Sequence, residues 1–148
     1  MANDIYDIFN DEAQEVMEEA IRLAELNTSG EVRIHIDNKC KEELMDRAAF
    51  LFEELEMHQT ELRNGVLFYF ALKDKQFAIL GDGGINAKVP DTFWDDIRDE
   101  MTAFFKEGKF VEGITHGVKR AGEQLKAFFP YQSDDINELP NEISFGTK

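Results

Sequence analysis

Apolar residues recur at three- and four-residue steps over Phe9, Ala13, Val16, Met17, Ala20, Ile21, Leu23 and Ala24, the stripe of an amphipathic helix turned towards a core. Asn10 or Asp11 is placed to cap this helix, and Asn27-Thr28-Ser29-Gly30 ends it. The period then drops to two. Val32, Ile34 and Ile36 alternate with Glu31, Arg33 and His35, which predicts a strand with one wetter face. Helical spacing returns from Lys41 to about Met57 through Leu44, Ala48, Leu51, Phe52 and Leu55. After the turn-rich stretch 60–65, residues 66–72 are apolar without alternation, as a strand covered on both faces requires. Lys73-Asp74-Lys75 turns the chain, and residues 76–80 return as an antiparallel partner. Gly81-Asp82-Gly83-Gly84 stops that strand, and Ile85 to Pro90 reads as a loop whose glycines adopt dihedrals closed to other residues. Asp91 opens a helix with Phe93, Trp94, Ile97, Met101, Phe104 and Phe105 inward, ended by Gly108. A last helix carries Phe110, Val111, Ile114, Val118, Ala121, Leu125 and Phe128, and Phe129-Pro130 closes it.

The order helix, strand, helix, strand, strand, helix, helix predicts an α/β fold. The first crossover is right-handed into a parallel neighbour, the hairpin strand lies antiparallel beside it, and the result is a three-layer α/β/α sandwich on a small mixed β-sheet. At 148 residues the chain has room for one such core. The expected division is an N-terminal extension at 1–9, a single domain at 10–130, and a polar, loosely docked or mobile C-terminal tail at 131–148.

Composition agrees with a packed domain: 43% of residues are hydrophobic, and thirteen are Phe. Charge narrows the partners. Sixteen Lys and Arg face 31 Asp and Glu, a formal charge of −15, and no basic stripe interrupts the field. Nucleic acid and anionic membrane surfaces are therefore not expected partners, whereas cations are attracted. The single Cys40 excludes an internal disulfide and reads as a helix-start residue. The N-terminal residues lack the basic and apolar regions of a secretory signal, and no run approaches the ~18 apolar residues of a membrane span. A cytoplasmic location is the expectation.

Tracing the strands brings Glu31, Asn64 and Asp82 to one edge of the sheet, beside the first turn of the helix after Pro90. These are hard oxygen donors of the type calcium or magnesium requires, with backbone carbonyls and water completing a shell of six to eight. The alternative is a glycine turn in which Asp82 bonds its own backbone and Asp91 caps a helix. The segment is not an EF-hand, because the alternating Asx ladder and terminal Glu are missing. It is not a phosphate-binding glycine loop either, because no Lys-Ser/Thr pair follows. At the opposite edge, where open α/β sheets usually bind ligands, Asp37, Asn38 and Asp74 read as solvated turn residues. His35, His58 and His116 show no metal-binding spacing, and no Ser sits in a nucleophile elbow.

Several landmarks occur together in order: Ser-Gly-Glu at 29–31, Arg-Asn-Gly at 63–65 leading into the hairpin and the 81–84 glycine loop, and Gly-Lys-Phe-x-x-Gly-Ile at 108–114 before Phe129-Pro130. In these the chain resembles the TPM domain family, named for a thylakoid lumen phosphatase, a photosystem II accessory protein and a receptor modulator, over about residues 10–130. The resemblance is to the stand-alone, soluble bacterial forms. It implies the same sandwich and calcium-type metal binding (Ca2+, with Mg2+ possible), with Asp82, Asp91 and Asp95 as metal ligands and Glu31 and Asn64 in support. The expected function is a non-catalytic, metal-binding domain that stabilises or regulates a protein partner. Because acid phosphatase activity is assigned to the plant member, a metal-dependent acid phosphatase is the alternative, and a metal-free protein-interaction domain is a third class.

Overall fold

The computed structural model describes residues 9–131 and 143–146. Its elements are α1 (Asp11–Glu25), β1 (Glu31–Asp37), α2 (Leu44–Glu54), β2 (Gly65–Ala71), β3 (Gln76–Gly81), α3 (Gly83–Asn86), α4 (Asp95–Lys106), α5 (Phe110–Leu125) and β4 (Ser144–Phe145). The sheet has the order β3-β2-β1-β4. β1 runs parallel to β2, with Glu31 opposite Gly65 and Asp37 opposite Ala71, and β3 returns antiparallel from Gln76 opposite Ala71 to Gly81 opposite Val66.

Alternation along the strands sorts the core into two layers. Val32, Ile34, Ile36, Val66, Phe68, Phe70 and Ile79 face α1, α4 and α5. Leu67, Tyr69, Ala71 and Ala78 face α2 through Ala48, Leu51 and Phe52. β2 is buried at all seven positions, which is why its sequence does not alternate. Each fully buried large side chain stabilises this arrangement by about 1.5–3 kcal/mol. The three-layer α/β/α sandwich on a mixed sheet is therefore the fold. α4 and α5 approach closely at Gly117, where a Cβ would lie 2.3 Å from Met101 Sδ. Among the described residues no helix is long and apolar enough to cross a membrane.

Several local expectations are corrected. Of the two cap candidates of α1, Asn10 is the one that serves: its Oδ1 accepts from Ala13 N at 2.9 Å. Val16 and Leu23 do not face inward but are about half exposed, because the buried strip of α1 is the narrower one through Met17, Ile21 and Ala24. The stretch after β3 is not a loop throughout: Asp82 caps a single helical turn, α3. None of its glycines has a left-handed dihedral; among the described glycines only Gly108 does, with φ of 76°. Gly84 is required by space instead, because a Cβ there would lie 2.1 Å from Leu62 O. The helix expected to open at Asp91 begins at Asp95, after a series of turns. Within the tail, Ile143 is buried and Ser144–Phe145 forms a fourth strand parallel to β1; residues 132–142, 147 and 148 lie outside the described residues. Residues 1–8 of the expected extension also lie outside them, and Phe9 joins the core at 1% exposure.

Candidate functional site

Polar side chains gather at both ends of the sheet. At the end where β1 and β2 begin, the register sets Glu31, Asn64 and Asp82 on one edge, as expected. Glu31 N donates to Asn64 O at 3.2 Å, and Asp82 N donates to Gly65 O at 2.9 Å. Asp82 is nearly buried, yet its carboxylate lies against an exposed partner: Arg63 Nε and Nη2 donate to Oδ2 and Oδ1, both at 2.8 Å, while 55% of the Arg63 side chain remains exposed. The carboxylate raises the Arg63 pKa. Gly83 N adds a third bond to Asp82 Oδ1 at 2.7 Å. Arg63 itself has φ of 53°, and its carbonyl accepts from Gly84 N at 2.8 Å, so the tight glycine approach positions the arginine.

This ion pair borders an open cleft of about 320 Å3, lined also by Ala49, Phe52, Glu53 and His58 from α2 and the segment after it. On the β1 side of the same edge, Asn64 is 1% exposed; its Nδ2 donates to Ser29 O at 3.2 Å, and its Oδ1 is buried without a hydrogen-bond partner among the described residues. Leaving such an acceptor unmet costs about 1–3 kcal/mol. Nearby, Glu25 Oε2 accepts from Val32 N at 3.0 Å; burial, reinforced by the charge of Glu31 and opposed by that bond, pushes the Glu25 pKa up to about 8.

The other two expected ligands stand apart in their bonding. Asp91 is exposed, and Asp95 is engaged by Arg98 one turn along its own helix. Among the described residues, no three His, Cys, Asp or Glu side chains gather closely enough to hold an ion by themselves. A cation at this edge would need Asn64 or carbonyl oxygens, and water, as ligands alongside carboxylate.

The opposite end overturns an expectation. Asp37 is not a solvated turn residue but is fully buried, and three groups converge on it. His35 Nε2 lies 3.0 Å from its Oδ1, while Arg47 Nε and Tyr69 OH donate to Oδ2 at 3.0 and 2.7 Å. Burial pushes the Asp37 carboxyl up, but the bonds from His35, Arg47 and Tyr69 outweigh it and hold the pKa at about 2. The other imidazole nitrogen, Nδ1, lies 2.7 Å from Ser144 Oγ on β4. The order Ser144, His35, Asp37 has the connectivity of a nucleophile relay. However, His35 and Asp37 are only 5% and 0% exposed, so the arrangement serves as a clamp on β4. Asp74, by contrast, is exposed and accepts from Cys40 N at 2.7 Å, tying the β2–β3 turn to the start of the α2 segment. Asn38 is half-buried. The sequence signal of this clamp is His-x-Asp on one strand face, with His35 directly opposite Tyr69. His116 belongs to a separate surface group with Glu100 and Arg120.

Fold and site together define an acidic α/β/α domain with an arginine-bridged acid at one end of its sheet and a buried clamp at the other. A family model described as the TPM domain matches residues 2–124, and the chain belongs to that family. The chain is similar to the BA42 protein of the psychrophilic bacterium Bizionia argentinensis, solved by NMR, at 45% identity over 97% of this chain and 99% of that one, with a TM-score of 0.91. The N-terminal domain of a protein from P. gingivalis shares the fold, with a TM-score of 0.68 and 21% identity over 81% of this chain and 78% of that one. Nothing matches among curated proteins.

Proposed function

We propose that this TPM domain binds a divalent cation of the calcium type at the Asp82 edge and acts as a non-catalytic domain that stabilises or regulates a protein partner. The observation that carries the reading is the Arg63–Asp82 pair. A nearly buried carboxylate at the mouth of an open cleft is neutralised by a guanidinium that is itself more than half exposed. The guanidinium side of the pair is open to water, so Arg63 can leave when another cation takes over the counter-charge that the buried carboxylate requires.

The donor chemistry fits in part. Asp82 supplies a carboxylate, and Glu31 and the unmet Asn64 Oδ1 share its edge. Asp91 and Asp95 would have to be recruited from the segment that leads into α4. A bound divalent ion would supply concentrated positive charge to an edge whose own cation is Arg63. Asp82 would then hold the ion, Asn64 would offer its amide oxygen, and Arg63 would swing into solvent.

This makes Arg63 a competitor, and the test uses that. Calorimetry and thermal scans with calcium, magnesium and EDTA should show binding to the wild type. At a hundredfold excess over Kd the gain is about 2.7 kcal/mol, or a rise of roughly 5–10 °C in Tm. Asp82→Asn should abolish the response, and Arg63→Gln should tighten binding. No heat and no shift with either ion in both wild type and Arg63→Gln would refute the reading.

The acid phosphatase alternative draws on one observation: Arg63 and His58 line the same cleft, so a phosphoryl group could meet a cation and an imidazole there. It ranks second because the acids Glu53 and Asp82 line the same cleft and repel a phosphoryl group. Turnover of p-nitrophenyl phosphate that is lost in Asp82→Asn would reverse that order.

A further inference from the structure

A second cavity, about 260 Å3, lies at the other end of the sheet and on its other face. Phe70 and Phe77 come from the β2–β3 hairpin, Phe105 from the last turns of α4, and Phe110 from the first residue of α5. Their rings form one packed wall. Phe70 and Phe77 stack at 5.7 Å, Phe105 meets both edge-on at 5.9 and 5.2 Å, and Phe110 stacks on Phe105 at 5.9 Å. Phe77, Phe105 and Phe110 nonetheless remain partly exposed. The cavity sits beside the end of β2, where open α/β sheets take their ligands. Its size falls just below the roughly 300–1,000 Å3 typical of small-molecule sites, which limits the occupant to a small ligand.

Its rim is basic on a protein that is otherwise strongly acidic. Lys75 and Lys106 both line the cavity, both are exposed, and neither pairs with an acid among the described residues. Arg22, Arg47, Arg63, Arg98, Lys109 and Arg120 each pair with a carboxylate instead. Lys75 also has φ of 55°, a left-handed conformation that suits Gly or Asn better, so the turn carries its lysine against backbone preference.

We infer that this cavity binds a small amphipathic carboxylate, a free medium-chain fatty acid in class, with its chain against the phenylalanines and its head between Lys75 and Lys106. The inference is independent of the cation reading, since the two sites lie at opposite ends of the sheet. The probe is decanoate, with decanol as the uncharged control, each titrated below its aggregation limit into the full chain and followed by NMR. Decanoate should shift the ring resonances of Phe77, Phe105 and Phe110 saturably. The double change Lys75→Glu/Lys106→Glu should weaken decanoate by roughly tenfold or more while leaving decanol unaffected. Because both lysines are exposed, the variant should keep the wild-type circular dichroism spectrum. No saturable shift at millimolar decanoate would overturn the inference, as would equal affinity in the charge-reversed variant. Shifts of the same rings on raising protein concentration alone would make a second copy of the chain the occupant, and would overturn it too.

Discussion

Replacing Asp37 by Asn is expected to be among the most damaging single changes in the polar interior. The side chain is shut off from solvent and accepts from Arg47 and Tyr69 while pairing with His35. Asn keeps the shape but removes the charge, leaving Arg47, 11% exposed, without its counter-ion. Bonds to a charged group are worth roughly 1.5–3 kcal/mol each, but three on one carboxylate are not additive. Removing one partner of a buried pair costs about 3–5 kcal/mol, and that is the expected loss at neutral pH, against about 5–15 kcal/mol for a whole domain. Removing the stranded cation as well, in Asp37→Asn/Arg47→Met, should recover part of it. The pH dependence has a definite sign. Asp37 is held at about 2 in the folded state, below its ordinary 3.8, so its contribution is present above 3.8 and is lost as the pH falls through 2. Urea unfolding of wild type and variant should therefore give a constant difference from about pH 5 to neutrality and a shrinking one towards pH 2. A cost below about 1 kcal/mol at neutrality, or a difference that widens in acid, would refute the clamp.

Glu25 should behave in the opposite sense. Its folded pKa is raised from 4.5 to about 8, so the associated stability is complete below 4.5 and is lost as the pH rises through 8. The full interval sets a ceiling of roughly 5 kcal/mol, and relaxation around the ionised group brings the expected effect nearer about 2 kcal/mol. Glu25→Gln should thus be neutral near pH 4.5 and stabilising by that amount above pH 8 in denaturant melts; a pH-independent difference would contradict the assignment. Gly146→Ala would put a Cβ 1.6 Å from Asp37 Oδ1, so β4 must shift off β1. A loss of about 1–3 kcal/mol is expected, with faster hydrogen exchange at Gly146 N and around Ile36, and unchanged exchange there would count against the placement of β4.

What the sequence disclosed follows from how each signal arises. The unbroken apolar run of β2 reports burial on both faces directly, so the layer order could be read from it. The alternation in β1 reports only that its two faces differ. Polar Arg33, His35 and Asp37 look the same beneath water as beneath α2, so the sequence pattern of a buried clamp is that of a solvated edge. A two-residue strand such as β4 has no period to detect. Gly83 and Gly84 argue against a helix by propensity, and the cap from Asp82 prevails locally. The Glu31, Asn64 and Asp82 edge was legible because register follows from strand direction. The Arg63 bridge was not, since it depends on a left-handed residue 19 positions away.

The outer edge of β1 has one further consequence. Left open, it would offer unpaired backbone groups to a strand from any neighbouring molecule, the usual start of edge-to-edge aggregation. Here Glu25 takes Val32 N, Ser144 Oγ reaches Ile34 O at 3.4 Å, and Gly146 N donates to Ile36 O at 2.9 Å. The Glu25 carboxyl from α1 and a short strand more than a hundred residues further along thus divide one guarding task. Loss of residues 143–146 would remove one of these guards, leaving mainly the mutual repulsion of molecules carrying a formal charge of −15. Solubility would then depend more strongly on salt, which screens that repulsion.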